Sequence, residues 1–175
     1  MAARSWSLDV SLLAIFSALA FLASLFVKIT VNYGAIVYAI VLLTGALLIS
    51  RPLSATAISC ITGLLYSFQS PLFLLMLGTF LVRGLVLDLL FIPAGVYWKS
   101  ARGEYNVPLI ILAMMASSFS AGLYQYLFLV LFLKKLLDFG AFIVSTIFLV
   151  SVVSNALAGY VVPKIIMPKL RRLVK

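Results

Sequence analysis

The stretch VSLLAIFSALAFLASLFV, residues 10–27, runs for eighteen residues without a charged side chain. As a helix it would be about 27 Å long, close to the roughly 30 Å hydrocarbon core of a bilayer. The rest of the chain has the same character. Of its 175 residues, 65% are hydrophobic and 10% are charged, and mean hydropathy is +1.26. A soluble domain carries about 25% charged residues. This composition predicts an integral membrane protein of a single domain, with almost nothing outside the bilayer.

Working outward from residues 10–27, five further apolar runs follow at 34–49, 53–68, 72–92, 107–133 and 139–162, before a basic tail at 163–175. They predict an all-α bundle of six transmembrane helices. The second and third runs are short for a span, but they come and go as a pair and leave both termini on one side. Arg4, Arg51, Lys99, Arg102, Lys164, Lys169, Arg171, Arg172 and Lys175 fall at one set of loop ends, against Lys28, Lys134 and Lys135 at the other. Nine against three follows the positive-inside bias, so the N- and C-termini are both expected in the cytoplasm. The net charge of +9 thus reads as topology and contact with anionic lipid. Nucleic-acid binding would need a solvated basic domain, which the chain has no room for. Ala18-Leu19-Ala20 resembles a signal-peptide cleavage site, but the apolar run continues to Phe26 and predicts a retained helix. Cys60 is the single cysteine, so no internal disulfide is expected.

What is missing narrows the chemistry. The sequence has no histidine, which removes the commonest metal ligand and general base. Its four acids, Asp9, Asp88, Glu104 and Asp138, are not spaced to pair on one helix face, and no G-x-x-x-x-G-K-[ST] loop is present. No enzyme activity, cofactor or metal is expected.

Small residues recur at helical spacing. Ala14 and Ala18 mark the first helix, Ala55, Ser59 and Gly63 the third, and Ser151, Asn155 and Gly159 the sixth. Such stripes let backbones approach closely in lipid. Internal packing explains most of them, and the first helix is the best candidate for a surface that meets another protein. Arg83, in Leu81-Val82-Arg83-Gly84-Leu85-Val86-Leu87-Asp88, is the costliest residue. It should face the bundle interior or a wet cavity, either in a structural ion pair with Asp88 or in a functional role. At the outer face, Asn32, Tyr38, Tyr66, Gln69 and Gln125 outline a candidate pocket, with Gln125 at its centre because an amide in lipid needs partners. Ser117, Ala121 and Gln125, spaced by four, give one face that would border it. An interfacial aromatic belt accounts for Tyr33 and Tyr126. The tail carries Ile165, Ile166, Leu170 and Leu173 among its basic residues and suggests an amphipathic segment lying on the membrane or on a partner.

The chain resembles the substrate-binding S component of energy-coupling factor transporters, the vitamin importers of bacteria and archaea. The resemblance rests on Ser11-Leu12-Leu13-Ala14-Ile15-Phe16-Ser17-Ala18-Leu19-Ala20, on the Leu81–Asp88 stretch, and on Ser154-Asn155-Ala156-Leu157-Ala158-Gly159-Tyr160-Val161-Val162-Pro163. Size, span number and topology agree with it. It implies a prokaryotic, multi-pass cell-membrane protein that binds a vitamin or precursor near its outer side. It further implies docking of a transmembrane coupling subunit on an Ala-x-x-x-Ala stripe, matched by Ala14 and Ala18, and energy from two separate ATPase subunits. The Lys28–Tyr33 loop is short for a family that often uses it as a lid, and the lack of histidine favours an organic substrate over nickel or cobalt. The alternative is a small structural or assembly subunit of a membrane complex with no ligand. A secondary transporter fits less well, since no inverted repeat is visible and the spans offer little to couple protons.

Overall fold

A computed structural model describes residues 6–30, 34–136 and 138–173. Every described element is helical: α1 (Trp6–Ile29), α2 (Ala35–Ile49), α3 (Ser54–Ser67), α4 (Phe73–Phe91), α5 (Val96–Arg102), α6 (Val107–Leu131), α7 (Phe139–Ile143), α8 (Thr146–Val161) and α9 (Met167–Leu173), with a π-helical turn at Val162–Ile166 between the last two. In lipid the backbone must satisfy its own hydrogen bonds, and the helix does so within one segment. Among the described residues, four helical stretches are long and apolar enough to cross a membrane: Trp6–Ile29, Phe73–Phe91, Val107–Leu131 and Thr146–Leu170.

Around the bundle, α1, α3, α4, α6, α8 and α2 each pack against the next, and α2 closes the ring on α1. Helix α2 is the most enclosed, with Tyr38, Ala39, Leu42, Leu43, Ala46 and Leu47 all buried. At 15 and 14 residues, α2 and α3 are only about 22 and 21 Å long, short of the bilayer core. Their connecting end is therefore finished by protein. Ser50, with φ 55°, caps α2 by donating its N–H to the Ala46 carbonyl. The Ser54 hydroxyl donates to the same carbonyl at 3.2 Å, and Ser100 of α5 donates to the Leu47 carbonyl at 2.8 Å. Carbonyls that a helix end leaves without partners thus find hydroxyls.

Small residues set the close approaches. A Cβ on Gly84 of α4 would lie 2.7 Å from Thr56 Cα and 2.8 Å from the Ala55 carbonyl of α3. One on Gly159 of α8 would lie 2.8 Å from Ile111 Cα of α6. The Ala55–Ser59–Gly63 and Ser151–Asn155–Gly159 stripes therefore lie at internal contacts. Ala14 and Ala18 differ: both are exposed, whereas Ser17, Ala20 and Ser24 of the same helix are buried.

Two sequence boundaries need correction. The run at 139–162 is broken at Val144–Ser145, where α7 stops and the Ser145 hydroxyl accepts from the Phe148 N–H at 3.3 Å to cap α8. The tail at 163–175 does not start at a break. Pro163 has no N–H to give, and the wider π turn carries the helix past it into α9. Met167 is fully buried, and Ile166 and Leu170 pack on the core. Ile166, Met167 and Leu170 are thus used inside the protein, while Ile165 on the other side of the turn is exposed.

Candidate functional site

The interior of the bundle is unequal along its length. At the end holding the α2–α3 turn and α5, the side chains of Leu47, Leu87, Phe91, Tyr97, Met114 and Met167 fill it. At the other end it opens into a cavity of about 340 Å³. Every helix of the ring contributes to its wall, each from the half nearer that end: Ser24 of α1, Tyr38 of α2, Tyr66 of α3, Phe80 of α4, Gln125 of α6 and Phe148 of α8.

Arg83 lies in the middle of α4 and lines the cavity. Its guanidinium sits 5.3 Å from the centre of the Tyr38 ring, a cation–π contact. Its Nη2 donates to the Ser151 hydroxyl at 3.4 Å, and Ser151 lies 3.0 Å from the Ser118 hydroxyl. Its Nε has no partner among the described residues. The ion pair with Asp88, one of the two readings of Arg83, is not formed, because five residues turn the two side chains to different faces of α4. Asp88 instead caps α3: Oδ2 accepts from the Thr56 N–H at 2.7 Å and the Thr56 hydroxyl at 2.5 Å, and Oδ1 accepts from the Tyr97 hydroxyl. Burial, followed by the Asp88 charge beside it, raises the Tyr97 pKa far above the ordinary tyrosine value, so the hydroxyl remains a donor.

Aromatic rings form the apolar wall. Phe80 meets Tyr38 edge-on with centroids 5.3 Å apart and meets Tyr66 at 5.5 Å. Phe148 can lie against α6 because residue 122 is glycine, where a Cβ would come within 2.4 Å of its ring. Phe142 of α7 contacts Phe148 at 5.7 Å and Tyr126 at 5.3 Å, bringing the α7 break to the cavity. Tyr124 turns away: its hydroxyl donates to the Leu74 carbonyl at 3.1 Å, over Gly78.

Of the residues that the sequence nominates, Gln125, Tyr66, Tyr38 and Arg83 line this one cavity. Gln69 does not; it is exposed in the turn after α3, with its N–H donating to the Tyr66 carbonyl at 3.0 Å. Asn32 lies outside the described residues. The bordering face of α6 is Ser118, Ala121, Gly122 and Gln125, one residue on from Ser117, whose hydroxyl turns back to the Met114 carbonyl. Ser151, Ser118, Thr79, Phe80 and Phe148 are lining residues that sequence reasoning passes over. Ser151 had a visible signal in the stripe with Asn155 and Gly159, but that stripe reads equally as packing.

The lining supplies hydroxyls, one amide, one guanidinium and aromatic rings, and no carboxylate, imidazole or thiol. Such a set recognises a ligand through hydrogen bonds, charge and stacking, and offers no general base of ordinary pKa near neutrality. No family model matches this chain, and neither does any curated protein or solved structure.

Proposed function

We propose that this membrane protein captures a small organic nutrient, a vitamin or its precursor, in the cavity and presents it for import. The observation that carries the reading is a chamber of about 340 Å³, inside the usual range of about 300–1,000 Å³ for ligand sites. It is walled by aromatics and carries one cation, Arg83, in its lining. A subunit with a purely structural role would gain by filling such a space, because packing supplies much of the association energy of helices in lipid.

In this proposal six helices cross the membrane of a prokaryotic cell with both termini inside. The basic distribution supports that orientation: Arg51, Lys99, Arg102, Lys164 and Lys169 belong to the packed end, and Lys28, Lys134 and Lys135 to the cavity end. The cavity then faces outward. The exposed Ala14–Ala18 face of α1 would dock a transmembrane coupling subunit, with two ATPase subunits supplying the energy, as in the energy-coupling factor S components that the sequence resembles. Binding, not catalysis, is the activity.

Native mass spectrometry of the gently extracted full-length protein tests this reading. A retained small molecule is the expected result. A spectrum of bare protein and lipid, obtained across several mild extractions, would favour the structural-subunit alternative.

A further inference from the structure

The charge of the ligand follows from a complete account of the acids. The whole sequence has four, and all four are placed. Asp9 pairs with Arg51 at 2.5 Å. Asp88 holds Thr56 and Tyr97. Asp138 is exposed and caps α7 through the Ala141 N–H at 2.7 Å, and Glu104 is exposed between α5 and α6. None lines the cavity. The Arg83 guanidinium therefore stands inside the bundle without a side-chain carboxylate to neutralise it.

The polar groups around Arg83 also point one way. A guanidinium can only donate, through five N–H groups, and here one bond to Ser151 is made while Nε has no partner. Once Ser151 accepts from Arg83, its own proton can go to the Ser118 oxygen 3.0 Å away. The Ser118 proton is then left to donate. Cation and hydroxyls together make a set of donors that needs an acceptor, and an anionic oxygen is the strongest one.

Resting on the capture reading above, we infer that the cavity takes a small monoanionic carboxylate with an aromatic or otherwise flat apolar body. Its carboxylate would sit at Arg83 and the Ser118–Ser151 pair, and its body against the rings of Tyr38, Phe80 and Phe148. A phosphate monoester fits less well. It carries about −1.5 to −2 at neutral pH, and one guanidinium would leave the excess charge uncompensated in a low-dielectric site. A carboxylate balances the guanidinium one to one and matches its planar fork. A neutral ligand would leave the cation as it stands.

The test uses full-length protein in phosphatidylcholine nanodiscs, so that no anionic headgroup competes. Its thermal midpoint is measured with matched acid and amide pairs: benzoate and benzamide, nicotinate and nicotinamide, indole-3-acetate and indole-3-acetamide. At least one acid should raise the midpoint where its amide does not. Arg83→Gln should weaken that acid at least tenfold, and Arg83→Lys, which keeps charge but loses the fork, should weaken it less. Ser118→Ala should cost severalfold and serves if Arg83→Gln does not fold. Amides that match their acids, or acid affinity within twofold of wild type in Arg83→Gln, would overturn the anion assignment and leave the binding cavity standing. Should no pair shift the midpoint, the charge of the molecule found by native mass spectrometry decides: a carboxylate upholds the inference and a neutral or cationic molecule overturns it. Silence in both experiments removes the capture reading and the inference with it.

Discussion

The two ends of this bundle solve the problem of a buried charge in opposite ways. At the packed end Asp88 is fully used: an α3 backbone N–H, a threonine hydroxyl and the Tyr97 hydroxyl all donate to it. At the cavity end Arg83 receives one long serine contact and the face of a tyrosine ring. Burying an ion is tolerable only when nearly every bond is made. Asp88 meets that condition within the protein, which makes it part of the scaffold. Arg83 does not meet it among the described residues, and in the capture proposal the ligand completes it. The teaching is that charge in a membrane interior does not by itself mark a site; the incompleteness of its bonding does.

The sharpest way to break this comparison is to remove each charge in turn. Asp88→Ala leaves the Tyr97 hydroxyl and the Thr56 N–H without their acceptor, and it should destabilise the fold by about 1–3 kcal/mol for each buried donor left unsatisfied. Arg83→Gln in the ligand-free protein should leave stability unchanged or raise it, because an unneutralised charge leaves the membrane interior. Thermal unfolding of the two variants in the same detergent checks both. Equal losses would mean that Arg83 is structural after all.

Within the cavity end, Gln125 and Gln69 give a finer contrast. Gln125 lines the chamber, so Gln125→Leu should weaken ligand binding by about 1–3 kcal/mol if its amide bonds the ligand, with the fold intact. Gln69→Ala should leave affinity unaltered, because Gln69 lies outside. Calorimetric titration with the retained ligand distinguishes them. Unchanged affinity in Gln125→Leu would remove it from the site.

The α1 face offers the smallest effect on the isolated protein. Ala14→Trp and Ala18→Trp place bulk on an exposed surface and should change stability by no more than about 0.5 kcal/mol. Co-purification with the proposed coupling subunit should nevertheless be lost, since close backbone approach depends on small side chains. An intact complex in both variants would move the docking face elsewhere.

Membrane character, helical class and the approximate helix limits were legible because hydropathy and charge are local. Tyr38, Tyr66, Arg83 and Gln125 were legible as candidates because each is out of place in lipid. The partner of Asp88 was not, because Thr56 and Tyr97 come from other helices and no spacing within α4 points to them. On α6, Ala121 and Gln125 line the cavity as their spacing suggests, but Ser118 takes the place of Ser117: one residue is about 100° of helix and separates a hydroxyl turned to its own backbone from one at the cavity wall. Gln69 is polar and near a helix end, the same signal that marks Gln125, but the turn that ends α3 holds it outside the cavity. The break at Ser145 and the run through Pro163 depend on a cap and a π turn, features that hydropathy does not register.

Capture from outside requires that the cavity end be the one open to the exterior. In a Cys60→Ser background, cysteine is placed singly at Ser145 in the cavity wall, at Asp138 near the same end, and at Gly103 at the packed end. Intact cells are then treated with a membrane-impermeant thiol reagent. Labelling is predicted at positions 138 and 145, with position 145 protected by bound ligand, and none at position 103. Labelling at position 103 with silence at 138 and 145 would contradict both the orientation and the placement of the binding chamber.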